Sequence, residues 1–317
     1  MQNRKILFIT FDMSGYYDSI RTELESRFEK VAYYNTAKIS FRYRNIFQRA
    51  QFFLSKIFSG KNLKRKYKYQ SIISAEEAKT YDMALVIRPD VFTDGQLSAL
   101  RKTTKNFIAY YHDSISNIPR KKNVIRFFDR VYSYEKKDVA KYNLTFLPNF
   151  IYLEPQPTCL IPENCAFSVM SNDYRVEILR KVARSLASSG MQYRFFVMDD
   201  KPKNDSLLTF IQKRMNNAEV ITEIQNCKFI VDIHKFGIQD GLTFRVFEAM
   251  AYRRKLITTN ANIKTYDFYD PNNIFVIENV NEVEIPRSFL ESDYREIPPD
   301  IYRKYTVENW VNTIITS

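Results

Sequence analysis

Residues 229–259 read FIVDIHKFGIQDGLTFRVFEAMAYRRKLITT. The run FIVDI at 229–233 is short, apolar and β-branched, as a buried strand is. KLITT at 255–259 has the same character. Between them, residues 243–252 carry apolar side chains at helical spacing. A strand, a helix and a second strand within about thirty residues form one crossover unit, and such units build parallel sheets covered by helices.

The same alternation extends in both directions. Toward the N-terminus, strands are predicted at 5–11, 31–35, 82–88, 106–111 and 130–134, with helices at 19–28, 94–103 and 136–142. Residues 147–157 (LPNFIYLEPQP) hold three prolines and no helical period, which reads as a linker. The pattern then restarts, with strands at 165–170, 192–197 and 274–277 and a helix at 173–188. Helical apolar spacing is read through Leu207, Leu208, Phe210 and Ile211. These halves predict an α/β protein of two Rossmann-like domains facing a cleft, over residues 1–150 and 151–317. The last helix is expected to pack back on the first domain. Ligands of such sheets sit beyond the carboxyl ends of the strands.

Composition narrows the class. Of 317 residues, 45% are hydrophobic and 26% charged, which excludes wholesale disorder. Gly is scarce at 6 while Tyr and Phe number 22 and 25, which excludes Gly-rich low-complexity chains. The longest apolar runs, such as 6–9, are strand-length, so no spanning helix is expected. No small-residue cleavage site follows, so no signal peptide is expected either. Cys159, Cys165 and Cys227 lack CxxC spacing, which argues against a disulfide framework or zinc site and fits a reducing cytoplasm. His112 and His234 are too few for a histidine-built metal centre.

The net charge is +12, from 48 basic and 36 acidic residues. Ten of the basic residues (Lys38, Arg42, Arg44, Arg49, Lys56, Lys61, Lys64, Arg65, Lys66, Lys68) fall in residues 38–70, which contain no acid. The remainder of the chain is nearly balanced. Within the segment Ile46, Phe47, Ala50, Phe53, Leu54, Ile57 and Phe58 recur at helical spacing. Basic residues beside such a stripe suit a helix lying on an anionic membrane surface. The alternatives are the ordinary buried face of a domain helix and, less favoured without a recognisable module, a nucleic-acid patch.

Chemistry concentrates at residues 240–248. A helix starting near Thr243 offers unpaired N–H groups and a positive dipole end to a phosphate. Gly241 lets backbone approach a ligand. Arg245 can add a charge-assisted contact to a diphosphate. Glu248, eight positions after Asp240, can accept both hydroxyls of a ribose. The competing reading is a buried amphipathic helix with a surface Arg and Glu.

This stretch resembles the C-terminal nucleotide-binding motif of GT-B glycosyltransferases. Retaining members carry Glu, seven residues and Glu before Ala-Met; here Asp240 replaces the first acid. The longer string GLTFRVFEAMAYRRKLITTNANIKTYDFYDPNNIFVI is similar to bacterial lipopolysaccharide and capsular polysaccharide glycosyltransferases. So are FITFDMSGYYDSI, YYHDSISN, FDRVYSYEKKDVAKYNLTFLPNF, SNDYRVEIL and IYRKYTVENW, so the resemblance covers both halves.

The cysteine pattern and residues 38–70 lead us to expect a cytoplasmic protein, peripheral on the inner face of the membrane, and the resemblance implies an enzyme. It would move a sugar from a nucleotide-sugar donor to a glycan or lipid-linked glycan, with no cofactor and no bound metal. Glu248 would hold the ribose and Asp240 the transferred sugar. Gly241, Leu242, Thr243, Arg245 and Arg175 would bind the diphosphate. Asp12, Tyr16, Tyr17, His112 and Asp113 would face the acceptor, with Asp12 or Asp113 the base if the reaction inverts. For the aspartates a turn or cap role competes; for the tyrosines and His112, packing does; for Arg175, a surface position. Asp199-Asp200 and residues 267–270 are the nearest acidic clusters and read as loops. A non-catalytic nucleotide-sugar or glycan binder is the other class the sequence accommodates, and a nucleic-acid binder using residues 38–70 a third.

Overall fold

The structure, a computed structural model, describes residues 4–59, 63–154, 163–201 and 204–316. Lys61, Cys159 and residues 155–157 of the Pro-rich stretch lie outside the described residues, as do the side chains of Lys56, Arg65 and Lys66. The chain divides into two compact units, Met1–Leu147 and Pro148–Ser317.

The first unit runs β1 (Lys5–Thr10), α1 (Asp18–Glu25), β2 (Lys30–Asn35), α2 (Ile46–Ser59), α3 (Leu63–Glu76), β3 (Tyr81–Ile87), α4 (Asp94–Lys102), β4 (Thr104–Tyr111), α5 (Arg120–Val124), β5 (Arg130–Ser133), α6 (Lys136–Tyr142) and β6 (Thr145–Phe146). Its strands pair in the order β2-β1-β3-β4-β5-β6, all parallel. Ile6, Leu7, Phe8 and Ile9 are fully buried, because a parallel strand is covered on both faces and needs no polar alternation. The start of α4 is set by a capping box between Thr93 and Gln96.

The second unit runs β7 (Glu163–Ser171), α7 (Val176–Ser188), β8 (Gln192–Met198), β9 (Thr209–Ile211), α8 (Asn217–Asn226), β10 (Cys227–Asp232), α9 (Phe244–Ala251), β11 (Lys255–Thr258), β12 (Ile274–Val276), α10 (Arg287–Glu291), α11 (Pro299–Lys304) and α12 (Val307–Thr316). Strand order is β12-β11-β10-β7-β8-β9, again all parallel. That is the doubly wound dinucleotide-fold order, and its direction reverses between β7 and β10. In the first unit the reversal lies between β1 and β3.

One expectation is revised, one helix is added, and two further stretches are described. Residues 207–211 do not form a helix. The Asp205 carboxylate accepts from the N–H groups of Leu207 and Leu208, and the short run that follows pairs as edge strand β9. Helix α8 was not read from the sequence, although Asn216 and Glu219 form a capping box at its start. The division between the units falls at the start of the Pro-rich stretch, whose Phe150 and Ile151 are buried, with Ile151 bridging Thr306. Finally, the apolar stripe of residues 46–58 is not core. Phe47 and Phe58 are 81% and 82% exposed, and among the described side chains of α2 only Phe52 is buried. As for the last helix, Trp310 of α12 packs its ring 5.0 Å from Phe150 within the second unit.

Candidate functional site

In the second unit the reversal point gathers most of the residues singled out above. Arg175 is the N-cap of α7, just beyond β7. Its Nη1 donates to the carbonyl of Ile233, just beyond β10, at 2.7 Å. Its Nε and Nη2 grip the Asp173 carboxylate at 2.8–3.1 Å. Burial pushes the Asp173 carboxyl up, but the guanidinium and the Arg175 N–H outweigh it and leave the group below its ordinary value. Arg175 therefore reaches the crevice already paired.

The loop before α9 is braced from outside. Asn260 Nδ2 donates to the carbonyls of Asp240 and Gly241, Asn262 Nδ2 to that of Asp240, and Asn149 Nδ2 to that of Leu242. Thr243 is the N-cap of α9: its Oγ1 accepts from Arg245 N at 3.2 Å and donates to Asp232 Oδ1 at 3.1 Å. Asp240 thus lies in the loop, not on the helix. Gly241 and Leu242 are buried, and Asp240 is 7% exposed.

Glu248, one turn into α9, is completely buried. Its Oε1 accepts from the Tyr152 hydroxyl at 2.6 Å and its Oε2 pairs with Arg245 Nη1. The competing reading of a surface Arg and Glu fails here. An acid at this depth requires partners, because an unpaired buried carboxylate is strongly disfavoured. Asp232 is also buried here, and burial raises its pKa even with Arg245 and Arg175 nearby. His234 follows it, with Nδ1 2.8 Å from Thr259 Oγ1.

In the first unit the carboxyl ends of β1, β3 and β4 carry Asp12, Arg88 and Asp113. Asp12 is spent on the loop: Oδ1 accepts from Ser14 N and Gly15 N and Oδ2 from Tyr17 N, at 2.8–2.9 Å. Gly15 turns there at φ 80°, a conformation that favours glycine. Tyr17 is buried, and its ring meets His112 edge-on at 5.7 Å. Burial raises the Tyr17 pKa and drives that of His112 down to about 4. Tyr17 is buried and His112 half-buried, at the end of β4. Tyr16 is half-buried in the same loop. Asp113 keeps partial exposure, with Arg88 Nη1 3.7 Å from its Oδ2.

Sequence reasoning missed several of these groups. Arg88 adopts φ 64°, left-handed backbone that an arginine rarely takes, while chelating Asp90 and lying over the Phe11 ring. Lys121 is fully buried, donates to the Asp113 carbonyl at 2.6 Å, and has its pKa lowered to about 8 by burial. Tyr152, Asn149, Asn260 and Asn262 were equally hidden, since their roles depend on partners distant in sequence. The only local signal was the terminal position of Arg88 and Asn260 beside predicted strands.

A cavity of about 570 Å³ lies at the opposite edge of the second sheet, lined by Asn164, Met191, Lys228 and Lys255 near the strand starts. Lys255 Nζ there is saturated by the carbonyls of Phe289 and Ser292 and by Ser292 Oγ. That edge holds none of the residues above. Among the described residues no group of three His, Cys, Asp or Glu is placed to hold a metal, and Asp267 is committed to Lys304 and Tyr305. Nor does any described helix have the length and apolarity to cross a membrane.

No protein-family model matches the chain, and no curated protein does. Solved structures do. The chain is similar to the glycosyltransferase SnogD from Streptomyces nogalater, at TM-score 0.50 and 10% identity over 100% of both chains. It is similar to a UDP-forming trehalose-phosphate synthase from Burkholderia xenovorans, at TM-score 0.56 and 10% identity over 100% of this chain and 98% of that one. A UDP-GlcNAc 2-epimerase from Methanocaldococcus jannaschii gives TM-score 0.53 and 9% identity over 99% of each chain. At such identities the likeness concerns architecture: the chain has an α/β fold of two Rossmann-like units of the GT-B type.

Proposed function

We propose that the protein is a glycosyltransferase of bacterial surface polysaccharide synthesis. It takes a sugar from a nucleotide-sugar bound by the second unit and passes it to a glycan or lipid-linked glycan bound by the first, without a bound metal. The acceptor side lies on an anionic membrane surface through residues 38–70. The observation that carries the reading is Glu248. It is a buried carboxylate, one turn into a braced helix, at the reversal point where a doubly wound sheet takes its nucleotide. The similar structures include a glycosyltransferase, a UDP-forming trehalose-phosphate synthase and a UDP-GlcNAc 2-epimerase, which supports this reading.

In this reading Glu248 accepts ribose hydroxyls after Arg245 leaves its Oε2 for the diphosphate. The N-terminus of α9, Arg245 and Arg175 then stabilise the leaving diphosphate, as preorganised charge does where negative charge develops. Asp240, held by Asn260 and Asn262, would meet the transferred sugar. Asp113 serves as the acceptor-side base better than Asp12, whose carboxylate already accepts three backbone N–H groups. A thermal-shift screen against UDP-, GDP-, ADP-, CDP- and dTDP-sugars tests donor binding, because a ligand of the native state raises its melting temperature. Product analysis with the binding sugar then separates transfer from epimerisation and from mere binding. No shift with any of the five would refute the donor site.

A further inference from the structure

Helix α2 is turned the wrong way for a domain helix. Ile46, Phe47, Phe53, Leu54, Ile57 and Phe58 are 49–82% exposed. At 3.6 residues per turn they fall within roughly 140° of arc. Phe52, on the opposite side, is the buried anchor: it stacks on Phe41 and Tyr67 at 5.8 and 5.3 Å and meets Tyr43 edge-on. The helix is thus fixed to the body by an aromatic cluster, with its apolar stripe facing away. Contiguous exposed apolar surface of this kind marks an interaction site.

At the foot of the stripe lies a groove of about 510 Å³, lined by Tyr43, Ile46, Arg49, Phe52, Phe53 and Lys64. Its volume falls in the range of roughly 300–1,000 Å³ typical of small-molecule pockets. The walls are aromatic and aliphatic and the rim holds two cations. Residues 38–70 contain no acid, and among the described residues neither Arg49 nor Lys64 forms an ion pair. Lys64 Nζ instead lies 5.9 Å from the Tyr43 ring centre. An apolar slot with unneutralised cations at its mouth complements a molecule having an anionic head and a hydrocarbon chain.

We propose that this groove seats one phosphate-bearing membrane lipid, with its phosphate on Arg49 and Lys64 and the first part of its chain against Tyr43, Phe52 and Phe53. The outward stripe of α2 enters the acyl boundary of the same leaflet, as amphipathic interfacial helices do. This rests on the membrane part of the reading above and not on glycosyl transfer. It adds a lipid-phosphate subsite beside the surface on which the acceptor would arrive.

Dihexanoyl phosphatidic acid, used below its micelle concentration, probes the groove in the full-length protein by titration calorimetry. One-to-one binding is expected, weakened tenfold or more in Arg49→Gln/Lys64→Gln and in Phe53→Ser. Circular dichroism confirms that these exposed substitutions leave the fold intact. Inorganic phosphate binding as tightly as the lipid would make the groove a plain anion site and overturn the proposal. So would one-to-one binding that both variants retain. So would co-sedimentation with phosphatidylglycerol vesicles without any one-to-one binding of the short-chain lipid, since the stripe alone would then dock. A dimer that Phe47→Ser/Phe58→Ser dissolves, in a protein that leaves those vesicles unbound, would reassign the stripe to a second copy and overturn it as well. The nucleotide-sugar screen is independent of every arm, so its failure is read separately.

Discussion

The hydroxyl of Tyr152 donates to Glu248 Oε1 at 2.6 Å, across 96 positions of sequence. Tyr152 lies in the Pro-rich stretch that reads as a linker, and Glu248 in α9, the helix that the sequence singles out as a candidate donor site. The bond therefore makes the start of the second unit part of its candidate site. It also explains how a fully buried carboxylate is tolerated: Tyr152 takes one oxygen and Arg245 the other.

Tyr152→Phe removes one of these partners without changing the packed ring, which meets Phe244 edge-on at 5.5 Å. A bond to a charged acceptor that is left unmet costs about 1.5–3 kcal/mol. The urea midpoint should fall accordingly with an unchanged slope. A midpoint equal to wild type would show that the bond contributes nothing.

Glu248→Ala should abolish transfer and weaken nucleotide binding by ~1–3 kcal/mol, the range for losing charged hydrogen bonds. Titration calorimetry with the nucleoside diphosphate of the donor reads this directly. A folded variant with wild-type affinity contradicts the assignment of Glu248 to the ribose.

Asp12 and Asp113 should separate. Asp12→Ala strips three N–H groups of their acceptor and should destabilise the first unit by ~1–3 kcal/mol. Asp113→Asn should leave the melting temperature in place and lower kcat by about 10²–10⁴, the usual contribution of a general base. The reverse pattern would move the base to Asp12.

Activity should survive chelation. In the proposed donor site Arg175 and Arg245 would be the cationic partners of the diphosphate, and the described residues include no acidic cluster placed for a metal. Complete loss of transfer in EDTA, restored by Mg²⁺ or Mn²⁺, would show that a metal bridges the diphosphate.

His112 should make the fold acid-sensitive. Its pKa drops from 6.5 to about 4 on burial, so between those values the unfolded chain binds a proton that the folded chain does not. Stability then falls as pH falls from 6.5 toward 4, by about 3 kcal/mol in all. His112→Gln should flatten this part of the profile in urea titrations at pH 4, 5, 6 and 7. Parallel profiles for the two proteins would place the titration elsewhere.

Much of the architecture was legible one element at a time. Runs such as ILFI at 6–9 and FIVDI at 229–233 are buried on both faces of parallel sheets, so their hydrophobicity is continuous and unmistakable. Edge strand β9 and helix α8 were not legible in the same way. The apolar run of β9 is short enough to mimic a helical face, and a buried run and a helix segment of that length share one pattern.

Local chemistry determined the central strands, the helix start at Thr243 and the concentration of charge in residues 38–70, because each depends on neighbours within a few positions. Whether Glu248 is surface or core, which N–H groups Asp12 accepts from, and whether the α2 stripe points in or out were decided only by tertiary structure. Periodicity fixes which side chains share a face, but not which way the face turns. A carboxylate's role follows from the donors brought to it, and those of Glu248 include one 96 residues away.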